Sequence, residues 1–119
     1  MAEDLNTIAL TTVDIAQDYV RRRTGNNPDE DEYLRQWSSY LQNLSGIISS
    51  TASSIAPDQP EYVILSQKLN LTRQQIGFLH EYYSLDSFDL VFHGLTQQVA
   101  MIAGPHGPGV PPARPPRRL

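Results

Sequence analysis

Signals that start and stop α-helices recur along this chain, and they restrict it to a helical fold. Asn27 and Pro28 combine an N-cap residue with a proline at the first helical position, and the acidic residues that follow face the positive end of the helix. Gly104 and Pro105 together stop a helix. No segment combines sustained apolar and polar alternation with turn dipeptides and β-branched residues. We therefore predict an all-α fold.

These signals predict about five helices joined by short turns. Three helices open with a capping box that follows an apolar staple residue, over residues 11–14, 71–76 and 85–90, and two open with a proline. The predicted helices are one from about Thr12 to Arg23, one from Pro28 to about Ile55, a short one from Pro60 that carries Leu69, one through Ile76, Leu79 and Tyr83, and one that presents Phe88 to Ile102 and ends at Gly104.

The length and composition allow one domain with a modest core, since the chain has 119 residues and 39% of them are hydrophobic. We divide it into an N-terminal arm (1–10), a helical domain (11–104) and a proline/arginine-rich extended tail (105–119). The start lacks the features of a secretory signal, and no apolar run approaches the ~20 residues of a membrane helix. We therefore expect no membrane partner and a cytoplasmic location, or a virion-associated one if the protein is viral.

Charge separates the body of the chain from the tail. Residues 1–103 hold thirteen acidic and six basic residues, a net charge of −7, whereas three arginines give the tail +3. An acidic body repels nucleic-acid phosphates and anionic lipid unless its few cations are clustered. The tail is suited to an acidic partner or to the acidic body itself.

The tail has the pattern of a polyproline II ligand. Prolines recur every third residue at its start, which matches the three residues per turn of that helix. Residues 112–117 fit PxxPxR and resemble one orientation class of SH3-domain ligands, in which prolines fill an aromatic groove and an arginine meets an acidic pocket. The candidate partner-binding residues are Pro112, Pro115, Arg117, Arg114 and Arg118. A disordered end and an assembly arm reaching about 45 Å remain open as alternatives.

Residues 62–81 carry a second pattern. Leu65, Leu69, Leu71, Ile76 and Leu79 stand at the apolar positions of two short helices that meet at a corner, with Ser66 and Asn70 at the small and the turn position. The segment resembles the helix-turn-helix of phage-repressor-type DNA-binding proteins. The resemblance implies a recognition helix opened by Arg73, Gln74 and Gln75, with Thr72 at a phosphate. Two amphipathic helices joined by a capped corner explain the same residues, because Thr72 and Gln75 also fit a capping box.

The sequence contains no recognisable catalytic motif, so we expect the protein not to be an enzyme and to have no cofactor and no metal site. Four consecutive acids from Asp29 lack the spacing of a calcium loop, and the three histidines lack ligand partners at zinc spacing. The apolar length of the second helix predicts self-association, with aromatic surface from Trp37 and Tyr40. We therefore predict a non-enzymatic protein-interaction or assembly protein, by analogy of architecture a viral or phage structural or accessory protein. The alternative is a transcriptional regulator that binds DNA through residues 62–81.

Overall fold

The computed structural model describes residues 4–79, 84–104 and 107–113. It contains four helices, α1 (Leu5–Arg23), α2 (Pro28–Ser50), α3 (Pro60–Phe78) and α4 (Leu85–Ala103). The all-α class is confirmed, and the described residues contain no strand. The prediction of about five helices is wrong for the described residues, because the third and fourth predicted helices are one.

The first helix begins seven residues earlier than predicted. Asp4 is its N-cap and accepts a 2.7 Å hydrogen bond from the Thr7 N–H, which also lowers the pKa of the Asp4 carboxyl below its usual value. Leu5 and Ala9 are buried on the side of the helix that also buries Val13. The predicted arm over 1–10 is therefore corrected, because residues from Leu5 onward belong to the helical body.

The second helix begins where the sequence predicts and ends a turn early. The Asn27 side chain accepts from the Asp29 N–H, and Pro28 occupies the first turn. The helix ends at Ser50 instead of about Ile55. Ser54 in the following connection hydrogen-bonds the end of α4, with its N–H on the Ile102 carbonyl (2.9 Å) and its hydroxyl on the Met101 carbonyl (2.8 Å).

The third helix runs without a break through the predicted corner at Asn70. Leu65, Leu69, Thr72 and Ile76 recur at four- and three-residue spacing and are all buried, so one face of one helix packs along the whole length. The Thr72 hydroxyl does not cap a new helix; it bonds the Lys68 carbonyl oxygen one turn back at 3.0 Å. Uninterrupted burial along this face accounts for the single helix.

Aromatic residues from three helices form the centre of the core. Trp37 on α2 is fully buried, and its ring centroid lies 5.3 Å from that of Phe92 and 6.1 Å from that of Phe88 on α4. Tyr19 on α1 lies 6.0 Å from both phenylalanine rings. The expectation that Trp37 forms surface is wrong, because its indole is covered by these rings. Tyr40 is only partly buried.

Every pair of helices packs together over the described residues except α2 and α3, which approach each other only marginally. These two lie diagonally across the bundle, each in contact with α1 and α4. Surfaces on the outer sides of α2 and α3 are therefore far apart on the molecule.

Replacing Leu5 with alanine tests the early start of α1. We expect Leu5→Ala to lower the free energy of unfolding by about 2–5 kcal/mol, the usual cost of emptying a buried leucine site, when measured by chemical denaturation. Asp14→Ala on the exposed side of the same helix is the control, with a change within about 0.5 kcal/mol. A Leu5→Ala change as small as that of the control would restore the predicted N-terminal arm.

Candidate interaction surfaces

The outward side of α3 carries a line of exposed apolar residues. Ile64, Leu71 and Phe78 are spaced seven residues apart, nearly two helical turns, so they share one side of the helix. The buried side of α3 holds a separate apolar row of Leu65, Leu69 and Ile76. The helix is thus apolar on two sides, and only one of them is covered within the chain.

A second exposed apolar row lies on α4. Leu90 and Met101 are eleven residues apart, three helical turns, and Gly94 and Gln97 lie on the same side between them. The Thr72 hydroxyl on α3 lies 3.1 Å from Oε1 of Gln98 on α4, and this pair marks the seam between the helices.

Both rows flank this seam on its solvent side. Leu71 directly precedes Thr72, and Gln97 directly precedes Gln98, so each lies about 100° around its helix from the seam. Both are exposed, which places them away from the core. We call the combined surface the outer face; its apolar residues are 47–77% exposed and are Ile64, Leu71, Phe78, Leu90 and Met101.

The outer face is poor in charge. Helices α1 and α2 carry ten charged residues between them, whereas α3 and α4 carry five. The exposed residues beside the apolar row of α3 are the neutral amides Gln67, Gln74 and Gln75, together with Lys68. Depletion of charge beside exposed large apolar residues is typical of the centre of a protein–protein interface.

The residues of the helix-turn-helix resemblance do not lie at the start of a helix. They fall in the second half of α3, where Arg73, Gln74 and Gln75 are exposed. Thr72 is 4% exposed and sits in the α3–α4 seam, so its hydroxyl is not at the surface where the resemblance places it. Arg73 borders a cleft of about 440 Å³ between α1 and α3 that Ile8 and Tyr62 also line.

The arginine cluster at the end of α1 is partly neutralised by neighbouring acids. Arg21 and Arg22 contact Asp18 at 3.2 and 3.0 Å, and Arg23 contacts Glu30 at 3.0 Å. The two pairs with Asp18 are exposed, so they contribute little to stability. The two acids offset two of the three positive charges of the cluster.

The start of the tail lies along α2. The Tyr40 hydroxyl donates a 3.1 Å hydrogen bond to the Gly109 carbonyl oxygen, and partial burial raises the pKa of Tyr40 above its usual value. Pro112 and Val110 form one side of an open groove of about 720 Å³, with Gln36 and Asn43 of α2 on the other. Pro112 is half-buried here.

The other predicted tail residues, Pro115, Arg114, Arg117 and Arg118, lie outside the described residues. Residues 107–113 have no regular secondary structure and contact α2, the helix diagonal to α3. The described start of the tail therefore lies on a different helix from the apolar row of α3.

Sequence reasoning missed the outer face. A signal for it was present, since the spacing of Ile64, Leu71 and Phe78 is as regular as that of the buried row. The sequence pattern predicts one apolar set that includes both Leu71 and Ile76, although Leu71 belongs to the exposed row of α3 and Ile76 to the buried row.

Comparison of the chain with protein-family models, with curated proteins and with solved structures finds no match. The four helices lack the combination of length and apolar character that crossing a bilayer requires. Among the described residues, no three His, Asp or Glu side chains gather as a metal site would need.

Asn70 distinguishes a continuous helix from a corner. We expect Asn70→Ala to raise the free energy of unfolding by about 0.5 kcal/mol, because alanine is the better helix former. A corner that holds Asn70 at positive φ would reverse the sign, since alanine is strained there. Chemical denaturation of Asn70→Ala and Asn70→Gly separates the two cases, with glycine less stable than alanine in a helix and more stable at a corner.

Tyr40 tests the contact between the tail and α2. We expect Tyr40→Phe to increase fast backbone motion at Gly109 and Val110, visible as a lower heteronuclear NOE, because the hydroxyl donor is lost. Gln42→Ala lines the same groove and serves as the control. Equal NOE values in Tyr40→Phe and the unmodified chain would show that the bond does not hold the tail.

Proposed function

We propose that this is a non-enzymatic protein-interaction or assembly protein whose helical body binds a protein through the outer face. The observation that carries the proposal is the exposed, charge-poor apolar surface formed by Ile64, Leu71 and Phe78 with Leu90 and Met101. Soluble monomers rarely leave such residues grouped, because water contact with them is unfavourable.

The energy available from this surface is sufficient for a specific contact. Complete burial of a large apolar side chain contributes about 1.5–3 kcal/mol, and these five are roughly half-exposed before binding. Phe78 and Leu90 expose the most within the body's outer face and are the natural central contacts. The neighbouring glutamines supply hydrogen-bond donors and acceptors for the rim.

The tail provides a second contact for a partner of different chemistry. Its +3 charge and prolines fit an acidic protein surface with aromatic grooves, and residues 112–117 keep the PxxPxR spacing. Binding through Pro112 requires release of its contact with α2, where the Tyr40 hydroxyl bonds the Gly109 carbonyl and Pro112 packs in the open groove. We place such a protein in the cytoplasm or in a virion.

DNA binding through Arg73, Gln74 and Gln75 is the alternative proposal, and electrostatics favours the protein partner. Lys68 and Arg73 are the cations of α3, while Arg21, Arg22 and Arg23 are paired with acids. A duplex reader needs a basic surface whose binding falls steeply with salt. If the chain binds duplex DNA with a steep salt dependence, and if the double variant Arg73→Ala, Gln74→Ala loses that binding, the DNA-binding alternative replaces our proposal.

A charge placed on the outer face tests the proposed function. We expect Leu71→Lys to abolish capture of body-dependent partners from native host extract, because lysine introduces an unpaired charge into the contact. Ser49→Lys on α2 adds the same charge elsewhere and should capture as the unmodified chain does.

Truncation after Gly104 belongs in the same experiment. We expect it to retain partners that depend on Leu71, to lose those that bind the tail, and to leave the thermal unfolding temperature nearly unchanged. Identical capture by Leu71→Lys, the truncation and the unmodified chain would contradict both proposed contacts.

A further inference from the structure

We propose that the occupant of the outer face is a second copy of this chain, with two α3 helices antiparallel and Leu71 on the two-fold axis. This inference rests on the proposed interaction role of the outer face and names its partner. The surface is self-complementary, as a two-fold contact between identical subunits requires.

The spacing of residues along α3 is symmetrical about Leu71. Apolar residues stand seven positions before it (Ile64) and seven after it (Phe78), and glutamines stand four before and four after it. A two-fold rotation therefore brings Ile64 of one copy toward Phe78 of the second copy. It also brings Gln67 toward the second copy's Gln75, and two carboxamides can each donate to and accept from the other.

Electrostatics is compatible with contact between copies through α3. The −7 charge of residues 1–103 makes two bodies repel, and α2 is the most acidic helix, with four acids against Arg35. Helix α3 itself carries Glu61, Lys68 and Arg73, a net charge of +1. Contact through α3 keeps the α2 helices of the two copies apart, and the rotation sets Lys68 opposite Gln74 instead of opposite a like charge.

Helix α4 adds to the area of the contact between the two copies. Leu90 and Met101 extend the apolar surface across the seam, and the space above Gly94 is open for a side chain of the second copy. With Leu71 on the axis, the two α3 helices face each other over residues 64–78, which is about 22 Å, and two adjacent helices are about 18 Å wide. That is about 400 Å² per copy and about 800 Å² in total, the size of a weak, reversible contact.

Sedimentation equilibrium of the full chain over a range of concentrations tests the association. We expect a reversible monomer–dimer equilibrium, and a dimer dissociation constant at least about tenfold higher in Leu71→Lys and in Phe78→Lys. Ser49→Lys should dimerise as the unmodified chain does. Circular dichroism melting in dilute solution controls for folding, since Leu71 and Phe78 are exposed and their substitution leaves the core intact. A monomer at all concentrations would overturn the inference.

Single-cysteine variants test the orientation, and the chain suits them because it has no cysteine of its own. We expect Leu71→Cys to oxidise to a disulfide dimer. Separately tagged Ile64→Cys and Phe78→Cys should form the mixed dimer when combined, and far less dimer when either is alone. Ser49→Cys on α2 is the exposed control and should form no disulfide dimer. Efficient disulfide formation by Ile64→Cys alone would indicate parallel helices and would overturn the two-fold arrangement.

The failure of this inference is distinguishable from failure of the proposed function. A strict monomer whose partner capture still depends on Leu71 would reject the second copy and keep the interaction face. A strict monomer whose capture is indifferent to Leu71→Lys would reject both. A dimer unaffected by Leu71→Lys and Phe78→Lys would place self-association on another surface and reject the inference.

Discussion

The packing of Trp37 against Phe88 and Phe92 organises this bundle. The two phenylalanine rings stack with centroids 4.2 Å apart, and the indole meets both edge-on, so α2 and α4 are joined at one point by the largest side chains in the core. Tyr19 brings α1 to the same cluster. Helix α3 takes no part in this cluster among the described residues. Aliphatic contacts with α1 and α4 hold it, and this one-sided attachment leaves its other apolar row uncovered.

Helix ends were predictable from sequence where one local signal stood alone. Asn27 with Pro28 opens α2, and Gly104 closes α4 at a positive φ of 63°, as predicted. The predictions failed where a capping box lay inside a longer apolar row. Thr12 and Thr72 both bond a carbonyl one turn back, so a threonine that suits an N-cap is equally satisfied within a helix. The local sequence does not distinguish a threonine at an N-cap from one inside a helix. Burial of one face along the whole helix determines which of the two forms.

The outer face could not be assigned from sequence, although its residues were visible there. An amphipathic pattern identifies the buried side of a helix by contrast with a polar side, and α3 offers apolar residues on both. Only packing against α1 and α4 determines that Leu65 and Leu69 turn inward while Ile64 and Leu71 turn outward. Trp37 illustrates the converse, since an aromatic residue interpreted as surface became the centre of the core. The tail was recognisable from its proline period, but its contact with Tyr40 depends on the folded position of α2.

The bonds that Ser54 makes to the end of α4 also bear on the tail. They fasten the last turn of α4 to the connection between α2 and α3, and Gly104 lies so close to Ser54 that an added Cβ would come within 3.3 Å of it. The described start of the tail consequently leaves the body close to a point that these two bonds hold in place. For a partner that bound both the body and the tail, as proposed above, the second contact would be intramolecular, and such linkage raises the effective concentration of the second site, to the millimolar range where the geometry lets both contacts form at once. A proline contact that is weak between separate molecules would then add to retention of that partner.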